Sequence, residues 1–164
     1  SGSMENMIHS VEPRAGQSIF ITSGRLHAIG AGMLIYEIQQ NSDTTYRVFD
    51  WNRVGLDGRP RDLHVRESLA SIDFTDYEPV MDQPKGQNLA TCRHFKVDFL
   101  ELPTGATICN PDPDRFSIIT VTSGEIRDRS GTVYSTGDFL LLPRGPVKLA
   151  AVKSTSFLQT TLPH

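Results

Sequence analysis

The chain has 164 residues, 16 basic and 19 acidic side chains and a formal net charge of −3. That length buries a real core, and 38% hydrophobic with 21% charged residues marks a globular chain, not a disordered one. The slightly acidic balance argues against a sequence-independent nucleic-acid binder, which needs a basic face, and no apolar run nears the roughly 20 residues that span a bilayer.

In chain order, Ser1-Gly2-Ser3 before Met4 reads as a cloning remnant and stands outside the fold reading. No charged-then-apolar leader opens the chain, so a cytoplasmic protein is expected. Short apolar runs between thirteen glycines and ten prolines predict strands over 18–22, 33–39 and 45–50. A short helix is predicted over 64–71, with Asp62 near its start. Residues 75–88 carry Pro79, Pro84, Gly86 and several charges, and read as a linker. Beyond it, strands are predicted over 93–102, 116–122, 132–134, 139–142, 148–152 and 156–161. Many short strands with Gly/Pro turns predict an all-β sandwich or barrel with a small helical insertion. Asn110-Pro111-Asp112-Pro113-Asp114 is a loop, because its prolines cannot serve a central strand. Cys92 and Cys109 are 17 positions apart and outside any CxxC pair, which favours two reduced thiols over a disulfide framework or a thiolate zinc site.

One spacing occurs twice. Gly16, Gly24 and His27 are placed as Gly137, Gly145 and Lys148 are: a strand entered and left by glycine turns, then one polar side chain returned over the sheet. Histidine there is a good divalent-metal ligand, whereas protonated lysine is not. This is the pattern G-x5-P-x-G-x2-H-x3-N of the cupins. The second copy keeps Pro143 but has Lys148 for histidine; the first has His27 but Thr22 for proline.

The stretch that follows is denser. Gly24-Arg-Leu-His27-Ala-Ile-Gly30, then Glu37-Ile-Gln39-Gln-Asn-Ser-Asp43-Thr-Thr-Tyr-Arg47-Val-Phe-Asp50-Trp, then Arg61-Asp-Leu-His64-Val, resembles the type I mannose-6-phosphate isomerases, above all their shorter bacterial form. Ser123-Gly124-Glu125, Gly137-Asp138 and Leu162-Pro163 resemble that family's C-terminal cupin domain. The resemblance implies cupin-like jelly-roll barrels: residues 1–74 as the end of a first, metal-site cupin, 75–88 as the linker and 89–164 as a second cupin without metal ligands. It also implies a zinc-dependent interconversion of mannose 6-phosphate and fructose 6-phosphate through a cis-enediol. His27 matches the last metal ligand and Arg47 the catalytic arginine, while Glu37 and Asp43 match positions lining the sugar site.

Each residue also has a plainer reading. His27 is a partly exposed histidine beside a turn. Glu37 alternates with Ile35 and Gln39 on one strand face, open to solvent or to a polar interior. Asp43 is a turn residue after Asn41-Ser42, and Arg47 a surface cation for Asp43 or Asp50. His64 is structural, capping or packing the helix. Only His9 and Glu12 precede His27 as donors, and neither matches the family's pattern, so the metal site is incomplete in this chain. The resemblance therefore covers the C-terminal half of such an enzyme. The second reading is a non-catalytic cupin module that binds a sugar or sugar phosphate. Exposed strand edges would favour self-association in either case.

Overall fold

The computed structural model describes residues 4–51 and 53–163; the expected cloning remnant at 1–3 lies outside them. The chain divides between Asp82 and Gln83 into two compact units.

The second unit holds every named strand. These are β1 (Asn88–Thr91), β2 (Lys96–Leu102), β3 (Thr107–Cys109), β4 (Ser117–Ser123), β5 (Glu125–Arg127), β6 (Val133–Ser135), β7 (Phe139–Leu142), β8 (Lys148–Ala151) and β9 (Thr155–Thr161). They form two sheets, ordered β1-β2-β9-β4-β7 and β3-β8-β5-β6, and every pairing is antiparallel. The long strands β2 and β4 flank β9, with Phe99 opposite Leu158 and Val121 opposite Phe157.

Alternation explains the core. In β4, Ser117, Ile119 and Val121 share one buried face; in β7, Leu140 and Leu142 do. Those side chains meet Ile108, Ile126 and Leu149 of the other sheet around Phe157, and Tyr134 and Val147 pack at the margin. This is a cupin-like jelly roll, with two sheets face to face over one apolar layer. Among the described residues no ladder joins the sheets, so of the sandwich or barrel expected it is the sandwich that forms, and no closed barrel. The chain changes sheets at Gly124, between β4 and β5. Its φ is +88°, and an added Cβ would lie 2.5 Å from the Ser154 carbonyl oxygen. Only glycine turns this corner without strain.

The first unit is built differently. Its regular elements are a 3₁₀ turn (Met4–Met7) and α1 (Val65–Ser71). The helix begins one residue later than the sequence predicts. His64 stands at its N-cap position, and Glu67 in the first turn suits the positive end of the helix. At the other end Ile72 turns extended, its N–H donating to the Ser68 carbonyl at 2.9 Å.

The segments 18–22, 33–39 and 45–50 do not form the predicted strands. Isolated bridges remain, such as Ser18 with Asp82 and Val54 with Pro60. A strand is a pairing and not a property of one segment: without a ladder, alternation leads to no sheet. The apolar side chains show the consequence. Leu34 and Leu56 are fully exposed, and every buried hydrophobic residue among those described lies at Val97 or beyond.

Polar ties hold the unit instead. The Arg25 guanidinium donates to Asp76 at 2.7 and 3.1 Å and to the Phe20 carbonyl at 2.7 Å. The Phe20 N–H donates to the Asp82 carboxylate, and the Asp82 N–H to the Ser18 carbonyl. Asp76 and Asp82 fall within 75–88, so the first part of that segment is fastened to residues 18–25.

Candidate functional site

The site residues expected from the sequence all lie in the first unit. His27 follows the glycine turn at Gly24, whose φ is +91°. A Cβ there would meet the Ser71 carbonyl oxygen at 3.0 Å, so glycine lets the turn lie close against the end of α1. The His27 ring is exposed, and its Nδ1 lies 3.0 Å from the Arg25 carbonyl oxygen. That contact orients the ring. His27 lines a small, mainly apolar hollow of about 40 Å³ together with Leu26, Val48, Phe49 and Trp51. The hollow is water-sized and too small for a sugar. It nevertheless shows that the His27 turn and the segment following Arg47 are neighbours.

Arg47 is anchored through its backbone. Its N–H donates to His64 Nδ1 at 3.2 Å, and its carbonyl accepts the His64 N–H at 2.7 Å. Its guanidinium donates to the Asp62 carbonyl at 3.4 Å. His64 makes no side-chain cap bond to the helix; instead its ring receives the Arg47 N–H and lies 6.2 Å from that of Tyr46. Glu37 is exposed. Asp43 is exposed in an open depression formed by residues 39–43, where the Thr44 N–H donates to Ser42 Oγ at 3.4 Å. Proximity therefore joins the His27 turn to the segment that follows Arg47, while Glu37 and Asp43 stand on the preceding stretch without a hydrogen bond to either among the described residues.

A metal needs more than this. A catalytic zinc takes three protein ligands, and among the described residues no three His, Cys, Asp or Glu side chains come together to hold an ion. The residues present do not fit a complete zinc site; His27 offers a single imidazole. Lys148, at the corresponding position of the second unit, is exposed opposite Cys109 in the β3–β8 ladder.

Sequence reasoning missed the most buried charge of the first unit. Asp50 is 7% exposed and receives two N–H groups of Arg61, one at 2.7 Å. The Arg61 hydrogen bonds hold its carboxyl below the usual range, against desolvation, and the charges of Arg61, Arg47 and Arg53 act in the same sense. Asp50 and Arg61 are eleven residues apart, and no short motif announces such a pair. The sign of its pH effect follows. A carboxyl whose folded pKa is depressed contributes stability above its unfolded value, about 3.9, and that contribution is lost as pH falls through the folded value. Asp73, lowered by its bonds from Thr75, acts in the same direction. Trp51 is the sole tryptophan, so its emission reports this unit. In an acid titration below about pH 4 the wild-type signal is expected to move toward the unfolded value. Asp50→Asn is expected to be less stable at neutral pH and to show a shallower acid transition.

The architecture defines a cupin-fold protein with an arginine-rich, aromatic segment beside one exposed histidine. No family model matches the chain. It is 33% identical over 154 residues to the mannose-6-phosphate isomerase ManA of Bacillus subtilis, an alignment covering 88% of this chain and 48% of ManA. A mannose-6-phosphate isomerase of Streptococcus mutans is 42% identical over 69 residues, covering 42% of this chain and 22% of that protein. The crystal structure of the Bacillus subtilis mannose 6-phosphate isomerase superposes with a TM-score of 0.60 at 22% identity, over 75% of this chain and 42% of that one, a likeness of fold. The chain is homologous to the mannose-6-phosphate isomerases, and it spans about half the length of the curated relatives it matches. Among the described residues no helix is long and apolar enough to cross a membrane.

Proposed function

We propose that this chain carries part of the active site of an aldose–ketose isomerase that interconverts mannose 6-phosphate and fructose 6-phosphate. The observation that carries the reading is the 33% identity to ManA over 88% of the chain. In this reading the Arg47 guanidinium faces the oxyanion of the cis-enediolate, where a fixed cation lowers the barrier most. Glu37 holds sugar hydroxyls or carries the proton between C1 and C2, and Asp43 positions the sugar. His27 is one ligand of a divalent zinc whose remaining ligands this chain's described residues do not supply. The small-molecule partner is a sugar phosphate and the setting cytoplasmic. Self-association through exposed strand edges belongs to the same reading.

The second reading, a sugar-phosphate-binding cupin without turnover, is favoured by the lone imidazole of His27. One experiment separates the two. Purified protein is dialysed, its zinc per chain measured by elemental analysis, and fructose 6-phosphate production from mannose 6-phosphate followed with and without added zinc. Turnover with about one zinc per chain supports the isomerase. Absence of turnover, with zinc near zero and mannose 6-phosphate still bound, supports the binding module.

A further inference from the structure

A sandwich keeps open sheet edges. Among the described residues β1 and β7 end one sheet of the second unit, and β3 and β6 end the other. Three of these strands are poor templates for pairing. The ladder of β1 shifts register between Asn88 and Ala90, and β3 and β6 are three residues long. The fourth, β7, runs four residues in unbroken register against β4, from Phe139 opposite Thr120 to Leu142 opposite Ser117. It contains neither the lysine nor the proline that commonly blunts an edge.

The two faces of β7 differ. Leu140 and Leu142 are buried in the core, whereas Phe139 and Leu141 are 65% and 66% exposed on the outer face. The Val121 N–H donates to the Asp138 carbonyl at 3.1 Å. From that pair the ladder alternates, so Leu140 and Leu142 turn their N–H and C=O groups to β4, and Leu141 turns its own to the open edge. The strand ends carry opposite charges: Asp138 precedes it, and Arg144 follows Pro143. Both side chains are exposed. Asp138 accepts the Ser135 N–H through Oδ2 at 2.6 Å. Arg144 makes no hydrogen bond or ion pair among the described residues. An antiparallel strand of this kind is complementary to itself. A two-fold axis at Leu141 sets Leu141 against Leu141, Leu140 against Leu142, and Asp138 against Arg144 of the second copy at both ends. A shift of one residue would place Leu140 opposite Leu141 and mismatch the faces. An axis at Leu140 keeps the faces but sets Asp138 against Leu142 and Arg144 against Thr136, which leaves both charges unmatched.

We infer that β7 is a self-pairing edge: two copies of this chain join antiparallel about a two-fold axis at Leu141, and Asp138–Arg144 ion pairs at both ends fix the register. The contact is isologous, so it closes as a dimer and does not propagate. Pro143 has no N–H and ends the ladder, which keeps the interface small and the affinity modest. The occupant is a second copy because the strand's own ends supply the two opposite charges; a foreign strand would have to bring both in the same spacing. The inference rests on the self-association placed in the reading above and names its edge and register, and isomerase turnover does not enter it.

Sedimentation velocity of the whole chain reads the dimer, with reductant present so that the exposed thiol of Cys109 forms no cross-link. The weight-average mass is expected to rise from that of one chain toward that of two between about 10 μM and 1 mM. Leu141→Lys puts a charge at the centre of the edge and is expected to abolish the rise. Arg144→Glu sets like charges together at both ends and is expected to weaken association by about tenfold to a hundredfold. Asp138→Arg is expected to do the same, and the two variants mixed in equal amounts are expected to associate near wild-type affinity, because each end then regains an opposite pair. A merely structural effect gives no such rescue. All three side chains are exposed, and circular dichroism verifies the fold of each variant. Should Asp138→Arg fail to fold, Arg144→Lys, which keeps the charge and is expected to keep the dimer, serves as the partner comparison for Arg144→Glu. Wild-type association that Leu141→Lys and Arg144→Glu leave unchanged would overturn the β7 edge and leave self-association to another strand. A wild type that stays a single chain up to about 1 mM would overturn the self-association itself, and the edge with it.

Discussion

Alanine at Phe157 is expected to cost the second unit about 3–5 kcal/mol, the range for a buried aromatic truncated to a methyl. Phe157 is 1% exposed and stands on β9, the strand that joins β2 to β4. Its ring fills the space between Ile119 and Val121 of one sheet and Ile108, Ile126 and Leu149 of the other. The neighbours sit on two hydrogen-bonded sheets, and a sheet does not collapse locally onto a void as a loop does, so the cavity persists. With about 80 residues in the unit, such a loss lowers Tm by more than roughly 10 °C. Far-UV circular dichroism of thermal unfolding reads it, since the β signal arises from this unit. Phe157→Leu, which keeps most of the volume, is expected to lose distinctly less. Equal losses for leucine and alanine would show that ring volume is not what the core requires.

The second unit was readable for the reason that Phe157 matters there. Its strands alternate, and alternation is visible in all but one of the strands that run four or more residues: Phe139–Leu142 is found as predicted, and β2, β4, β8 and β9 differ only at their ends. Among the three-residue strands, where a period of two is barely established, Val133–Ser135 is found one residue from its expected place, and Thr107–Cys109 and Glu125–Arg127 are not anticipated. Asn88–Thr91 was hidden by its place beside the proline-bearing segment. The first unit shows the opposite error. Residues 33–39 alternate as well as any strand here, yet Leu34 stays fully exposed and no ladder forms. Pattern states that a segment is able to pair; it does not supply the partner.

The site divides in the same way. His27 and Arg47 were placed in the sequence by short spacings and by resemblance, and the fold sets their segments side by side. Asp50 with Arg61 and Arg25 with Asp76 were not found, because an ion pair between residues 11 or 51 apart leaves no periodic trace. Arg53 on Trp51 is close in sequence but depends on a left-handed Trp51, and nothing in the residue order requires a tryptophan to turn that way. What sequence reading captures is local repetition. What it misses is the long-range satisfaction of charge, which in the first unit ties Arg25 to Asp76, Phe20 to Asp82 and Arg61 to Asp50.

That distinction gives the strongest prediction for Arg47. Under the isomerase function proposed above, Arg47→Ala is expected to lower kcat by about a hundredfold to a thousandfold, the usual cost of removing a preorganised donor from a developing oxyanion. KM is expected to change much less, because the charge that Arg47 meets is fully developed only at the enediolate. The substitution leaves the fold's use of this position intact: the two backbone bonds to His64, at 3.2 and 2.7 Å, do not involve the side chain. The side chain's own bond within the chain is a 3.4 Å contact to the Asp62 carbonyl, weak enough to be exchanged for substrate. Arg47→Lys keeps a cation without the planar fork and is expected to recover only part of the rate. The measurement is steady-state kinetics on wild type and both variants, with the thermal transition followed by Trp51 emission. A fall in kcat at an unchanged transition places Arg47 at the reacting oxygen. A rise in KM alone would make it a ground-state sugar contact, and a lowered transition would return it to the role of holding α1 through Asp62 and His64.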